Sequence, residues 1–492
     1  MDDLAEIEAA LVRLATSGRV EVYEDGELLA ELSSLRYELR CEGKRILIHL
    51  WSEERHLVRR VLRVAEQSAD LTILEVQRFG RSKPGKLEFV CVDVPVRVSR
   101  VARQKFRARF RQVLVEQFPD EQIESLTISP DLQHSFSGCY ARGVLHRGQR
   151  AWAVIGVSDV EDAATIDSVL SFGLLWLDWT REHARGSVAE GLRLFLPEGT
   201  SSVIAHRLQA LAPWVNVELY ELNEAIRRAR RMDPRDAGNL ATWLTPRREV
   251  EHTLAVAQDA LGKVHALAPD AIDAVVPPGT REVALRFRGL EFARWHNGHL
   301  FFGLPNERRE LTGQNWNLLE KLVKQLGTYR QPLAHDTNHP LYRAQAERWL
   351  ETLVLADPAR LDARLDPGHL YPQVPAFSAG DRGIIDLLGV TRDGRLAVIE
   401  LKAAEDIHLA LQAVDYWLRV RWHHQQGDFP RYGYFHAIGL QPRPPRLYLV
   451  APGFRFHPAT DTILRYLSPD VEVVRIGLNE NWRRGLRVTF RQ

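Results

Sequence analysis

The chain is poor in cysteine: three residues in 492 (Cys41, Cys91 and Cys139), far apart and with no CxxC pair. That excludes a disulfide framework and a structural zinc site, and it fits a reducing compartment. Net charge is almost absent too. Lys and Arg number 65 against 64 Asp and Glu, a formal +1. A globally basic nucleic-acid binder is excluded; a locally basic one is not. No apolar run reaches the roughly 18–20 residues of a membrane span. The longest candidate, Val169 to Trp179, is broken by Ser171, Gly173 and Asp178. The opening MDDLAEIEAALVRLA has no basic leader, so no signal peptide is expected. The expectation is a cytoplasmic protein with no membrane partner. Glycines are scattered, without GxGxxG or a P-loop, which argues against ATP use. His134, Ser135, Ser137 and Cys139 lie close together, but no nucleophile motif surrounds them. His423 and His424 are adjacent, so on a helix they diverge by about 100° and make a poor shared ligand pair.

What is present is an ordinary globular composition, 45% hydrophobic and 26% charged. The length suggests about three or four domains. The sequence also repeats itself. Val215 to Glu224 (VNVELYELNE) matches Val471 to Glu480 (VEVVRIGLNE), an offset of 471 − 215 = 256. Each run follows a helix-like segment, Ser202 to Leu211 or Ala459 to Leu467, and before that a strand-like one. Ala153 to Ser158 (AVIGVS) resembles Ala397 to Lys402 (AVIELK), and Leu35, Tyr37 and Gly43 align with Leu290, Phe292 and Gly298. Three matched elements in one order predict an internally duplicated α/β protein.

Each half divides again. Residues 1–95 are expected to form a small α/β module, with short strands around a helix from Glu54 to Glu66. Residues 96–224 read helix, hairpin, helix, strand, helix, strand. Residues 225–278 are expected to be a helical linker, and 279–334 a second small α/β module. Residues 335–492 repeat the larger pattern.

The most informative stretch joins two apolar runs through Thr391-Arg-Asp-Gly394, a strong hairpin signal. Asp386 lies on the first run, Glu400 and Lys402 on the second. Residues two apart on a strand share a face, so Glu400 and Lys402 point together and the hairpin brings Asp386 alongside. Two carboxylates at one spot repel and persist ionised only around a cation. An all-oxygen cluster suits Mg²⁺ or Mn²⁺, and such an ion supports phosphodiester cleavage.

Asp386, thirteen intervening residues and Glu400-x-Lys402 resemble the core motif of the PD-(D/E)XK nuclease superfamily, with Ile385 in place of the nominal Pro. Gln412-Ala-Val-Asp-Tyr416 resembles the QxxxY helix motif of its RecB-like branch. The resemblance covers about 335–492. It implies that each half joins a small module to a restriction-endonuclease-like αβββαβ domain. It also implies a Mg²⁺- or Mn²⁺-dependent nuclease with Asp386, Glu400, Lys402, Gln412 and Tyr416 at the catalytic centre. Asp386, Glu400 and the Leu401 carbonyl would bind metal, with a further carboxylate from the preceding helix: Glu351 first, Glu347 second. The expected partner is nucleic acid, DNA ahead of RNA. One centre per chain would nick, and a double-strand break would need a homodimer or two events. The alternatives are a catalytically silent nucleic-acid-binding or assembly protein, and an RNA-cleaving defence nuclease.

In the first half the corresponding positions carry no such set. Glu400 and Lys402 align with Gly156 and Ser158, Asp386 falls near Arg142, and Glu347 and Glu351 correspond to Ala108 and Gln112. A basic run stands there instead: Arg97, Arg100, Arg103, Lys105, Arg107, Arg109 and Arg111, interleaved with Phe106 and Phe110. It is a candidate phosphate-binding surface, with the phenylalanines either stacking on bases or packing into the core. A second basic run, Arg227, Arg228, Arg230, Arg231 and Arg235, either extends it or solvates the linker.

Overall fold

The computed structural model describes the chain except for residues 1–6, 9, 12–13, 15–19, 25–26, 33–35, 43–44, 52–55, 68–70, 78–83, 92–99, 132, 185, 237–243, 245, 278–279, 305–307 and 376–383. Leu35, Gly43, Glu54 and Arg97 therefore lie outside the described residues. The chain is mixed α/β and separates into two compact units, Met1–Ser99 and Arg100–Gln492.

The first unit is built on a seven-stranded sheet of order β2-β1-β7-β6-β5-β4-β3. Its strands are β1 (Val20–Glu24), β2 (Glu27–Glu31), β3 (Arg36–Glu42), β4 (Arg45–Trp51), β5 (His56–Gln67), β6 (Leu71–Gln77) and β7 (Gly85–Cys91). All neighbours are antiparallel. The helical residues Ile7, Leu11 and Leu14 pack on it. The helix expected over Glu54 to Glu66 is instead strand β5. Its register shifts twice against β6, between Val61 and Arg63 and between Val64 and Glu66. Each bulge resets the alternation of faces, so the apolar residues recur at spacings that imitate a helix.

The second unit contains two six-stranded sheets of one design. The first comprises β8 (Gln122–Thr127), β9 (Tyr140–Arg147), β10 (Arg150–Val157), β11 (Val188–Pro197), β12 (Val217–Asn223) and β13 (Arg228–Met232), ordered β13-β12-β11-β10-β9-β8. Between the two, β14 (Ile272–Val275), β15 (Val283–Phe287), β16 (Leu290–His296), β17 (His299–Phe302) and β18 (Arg309–Glu310) form an antiparallel meander. The second six-stranded sheet comprises β19 (Leu365–Pro375), β20 (Ile384–Thr391), β21 (Leu396–Leu401), β22 (Arg446–Pro452), β23 (Val473–Leu478) and β24 (Val488–Arg491), ordered β19-β20-β21-β22-β23-β24. In both, three antiparallel strands lead to two parallel pairings and end on an antiparallel edge. The expected helical linker is shorter than 225–278. The run RARRM, read as linker, is strand β13, and β14 closes the other end.

The helices used below are α1 (Arg100–Gln117), α2 (Val169–His183), α3 (Ser202–Leu208), α4 (Arg247–His265), α5 (Trp316–Tyr329), α6 (Ala346–Ala356), α7 (Leu409–Gln425) and α8 (Ala459–Arg465). Parallel pairings need a crossover, which α2 and α3 supply in the first large sheet and α7 and α8 in the second. One continuous core joins α2 and α3 to α7 and α8 and to the inner faces of both sheets. Outside, α1 covers the first sheet through Phe106 and Phe110, and α6 covers the second through Trp349 and Leu350. The layers run helix, sheet, paired helices, sheet, helix.

The broken apolar run at Val169 to Trp179 now has an explanation. It is the middle-layer helix α2, buried on nearly every side. A Cβ at Gly173 would meet Leu194 at 2.9 Å, so glycine lets helix and sheet approach. Asp178 accepts hydrogen bonds from Arg465 (2.8 Å) and Tyr466 (3.0 Å) of the second half. No helix among the described residues is long and apolar enough to cross a membrane.

Candidate active site

Strands β20 and β21 are buried on both faces, as the interior of a covered sheet requires. Leu387 pairs with Ile399, and one step further along that register Asp386 opposes Glu400. Asp386 Oδ2 accepts a hydrogen bond from the Leu401 amide at 3.0 Å, which fixes its carboxylate at the strand end. Ile399 and Leu401 face α6, so Glu400 turns the other way, toward Tyr416 on α7.

Glu400 is 1% exposed, and its Oε2 is buried without a hydrogen-bond partner among the described residues. Burial pushes its carboxyl well above the usual range, and the Asp386 charge adds to the effect. Asp386 is raised by burial as well, while Arg348 and the Leu401 amide oppose the rise. Lys402 Nζ lies 3.7 Å from Glu400 Oε1 and 3.4 Å from Asp406 Oδ2. Burial works to lower this ammonium, but Glu400, Glu347 and Asp406 outweigh it and hold the pKa above its ordinary value. Lys402 is therefore a fixed cation and not a base at neutral pH. Gln412 donates to the Tyr416 hydroxyl at 3.3 Å, and burial and the Glu400 charge raise that phenol.

Helix α6 supplies the third side and carries both expected carboxylates, Glu351 and Glu347. Glu351 accepts from Arg348 at 2.5 Å and from Gln373 at 2.9 and 3.3 Å, with Arg286 at 3.6 Å. Both its oxygens are occupied. Burial raises the Glu347 carboxyl, which also feels Lys402 and Asp386, while the Glu351 charge acts on Asp386 as well.

Sequence reasoning missed Arg348. Its guanidinium sits 2.5 Å from Glu351 and 3.3 Å from Asp386, a cation bridging two buried carboxylates. Behind it, Arg286 of β15 donates to Gln373 Oε1 at 3.0 Å, so the meander braces the site. Gln373 has φ +50, a left-handed conformation uncommon for a residue with a side chain. The signal was the Glu-Arg step at 347–348, which looks like any solvated helix face. Among the described residues, no group of three or more His, Cys, Asp or Glu side chains converges as a metal cluster.

In the first half, a Cβ at Gly156 would meet the Phe110 ring at 2.8 Å, so Gly156 faces α1. Glu400 faces away from α6, so Gly156 and Glu400 take opposite faces of their sheets, one toward the outer helix and the other toward the middle layer. Ile155 and Val157 take the inner face of their sheet, as Glu400 does in the other, and Arg142 opposes Ile155. Arg142 is 3% exposed and donates to the carbonyls of Ser137 (2.8 Å) and Ser129 (2.6 Å). It lies over Phe136 and Trp176, and burial lowers its pKa to about 10.

The basic run divides. Arg103 forms a bidentate pair with Glu161 (2.7 and 3.0 Å), and Arg109 lies 3.4 Å from Glu224. Lys105, Arg107 and Arg111 are exposed, and Arg100 begins α1. Phe106 and Phe110 are stacked on each other in the core and offer nothing to a base. The second basic run is partly spoken for: Arg230 pairs with Glu221 and Arg231 with Glu218. His423 is buried against Asp428 and His424 reaches the Gln441 carbonyl, so the two histidines do diverge.

No family model matches the sequence, and no curated protein matches it with significance.

Proposed function

We propose that the chain is a Mg²⁺- or Mn²⁺-dependent nuclease of the PD-(D/E)XK type acting on DNA, with one catalytic centre in the second half. The observation that carries the reading is the pairing of Asp386 with Glu400, whose buried Oε2 lacks a hydrogen-bond partner among the described residues, beside the fixed cation Lys402. Two buried carboxylates, one with an orphaned oxygen, form an all-oxygen donor set that suits a hard divalent ion. Asp386, Glu400 and the Leu401 carbonyl would hold it, with Glu351 or Glu347 of α6 as a further carboxylate. Such an ion, when bound, activates water and neutralises charge building on the phosphate. Lys402 stays protonated and supplies positive charge and a donor to the attacking water or the phosphate oxygens. Gln412 and Tyr416 hold one another and present a neutral phenol above Glu400, orienting the site or the nucleic-acid backbone.

Internal duplication belongs to the same proposal. Its support is the shared strand order and sense of the two large sheets. The first half would then be a partner that kept the scaffold and replaced the acidic site with Arg142.

A second reading, a silent binding or assembly protein, draws on Arg348, because an internal cation between Asp386 and Glu351 is what a disused site would retain. Incubation of the full chain with Mn²⁺ or Mg²⁺ and plasmid, linear duplex, single-stranded DNA and RNA separates the readings. Metal-dependent DNA cleavage lost in Asp386→Ala and Lys402→Ala is expected. Cleavage that survives either substitution would refute the site, and preferred RNA cleavage would refute the substrate.

A further inference from the structure

Helix α1 has six Lys or Arg residues from Arg100 to Arg111 and no acid before Glu116. Glu161 and Glu224 engage Arg103 and Arg109. Lys105, Arg107 and Arg111 remain exposed, with no ion-pair partner among the described residues. The fold adds a fourth cation that the sequence places more than a hundred residues away. Arg227, in the turn between β12 and β13, is exposed and donates to Gln112 Oε1 on α1 at 2.9 Å. Beneath that seam Ala229 of β13 packs in the same core as Phe106 and Phe110. The two basic runs thus meet on one surface.

We propose that the solvent face of α1, with Arg227 at its flank, docks the phosphate backbone of double-stranded DNA; the choice of DNA rests on the nuclease reading above. Charge complementarity identifies a polyanion. The aromatic residues decide its form. A single-strand groove needs exposed rings on which bases stack, and the phenylalanines of α1 are 2% and 0% exposed. The surface presents cations without a stacking platform, which suits a duplex with its bases turned inward and its phosphates outward. An 18-residue helix is about 27 Å long, the length of roughly eight base pairs along a duplex axis. The first half would thereby anchor the duplex for a reaction its own sheet does not carry out.

The test is binding of the full chain in EDTA to a fluorescent duplex, its single strand and the matching RNA duplex, across a salt series. The variant carries Lys105→Gln, Arg107→Gln, Arg111→Gln and Arg227→Gln, all exposed positions. A control carries Lys263→Gln, Arg281→Gln, Lys321→Gln and Lys324→Gln, which removes the same charge from other exposed positions. The parent chain should prefer duplex DNA. The variant should lose roughly tenfold or more in affinity, and its slope of log K against log salt should shrink by about 3 to 4. The control should keep parental affinity and slope. Equal binding by variant and parent, equal loss in the control, or preference for single strand or RNA duplex would each overturn the proposal. Cleavage assayed separately keeps the two readings apart. Binding that behaves as expected without cleavage removes the nuclease and leaves the surface; cleavage with indifferent binding does the reverse.

Discussion

Leu211 and Leu467 face each other across an isolated antiparallel bridge between the two halves of the second unit. The hydrogen bonds around it are reciprocal: Ala212 N donates to Tyr466 O at 2.9 Å and Ser468 N to Ala210 O at 2.8 Å. The bridged leucines are 467 − 211 = 256 residues apart, the offset between the runs VNVELYELNE and VEVVRIGLNE. A contact in which i meets j and j meets i is what two-fold symmetry produces. Flanking it, Arg207 of α3 grips Asp415 of α7 at 2.9 and 2.7 Å, and Arg465 of α8 holds Asp178 of α2. The two halves share one core and should unfold together.

Arg207→Ala tests that seam. Arg207 and Asp415 are 12% and 14% exposed, so the lone carboxylate would stay largely buried. Breaking such a pair from one side costs about 3 kcal/mol. Chemical denaturation should show this loss in a single transition, with partial recovery when Arg207→Asp is combined with Asp415→Arg. Two separate transitions in the parent chain would contradict the shared core.

Glu400→Gln should separate stability from function. The parent buries a carboxylate whose Oε2 has no hydrogen-bond partner among the described residues, beside the Asp386 charge. Removing the titratable group should leave metal-free stability at pH 8 unchanged or higher by about 1 kcal/mol. Metal-dependent cleavage should fall by on the order of 10²-fold or more. A substitution that lowers both by unfolding the chain would mark Glu400 as merely structural.

Much of this was legible in the sequence because the signals were local. The Asp-Gly turn, the alternation around Glu400 and Lys402 and the spacing of Gln412 and Tyr416 all report on neighbours within a few residues. Bulges hid β5, because they shift apolar residues out of period two. The edge strand β13 was hidden by its arginines, two of which pair outward with Glu221 and Glu218, leaving Ala229 and the half-buried Met232 as its core contacts. Arg348 and the Arg286–Gln373 brace were not legible, since residues 286, 348, 373 and 386 meet only through packing of separate elements. The opposite faces of Gly156 and Glu400 have the same origin: AVIG and AVIE look alike, but only the sheet says which face each residue takes.

Gly289 couples the meander to the site. It has φ +82 in the β15–β16 turn, and a Cβ there would lie 2.3 Å from the Arg348 carbonyl carbon. Gly289→Ala must therefore both strain the turn and push on α6. The expected loss is about 3 kcal/mol, with cleavage falling further than unfolding explains, because α6 carries Arg348 and Glu347. Activity measured well below the unfolding temperature checks this. Normal activity there would show that α6 can move without disturbing the centre.

Acid should loosen the seam through two histidines. His206 on α3 has its pKa lowered by burial, with Arg419 and Arg207 adding to that and Asp415 opposing it. His408 meets the Phe172 ring edge-on at 6.1 Å. It too is lowered by burial, with Arg207, His457 and Lys402 adding to that and Asp406 opposing it. Each is favoured neutral in the folded chain, while the unfolded chain takes up protons near pH 6.5. Their contribution to stability is therefore complete above 6.5 and is lost as pH falls from that value through the lower folded pKa. The unfolding midpoint should drop between pH 7 and 5, and His206→Gln with His408→Gln should flatten that slope. A pH profile unaltered by the double substitution would assign the acid sensitivity to other groups.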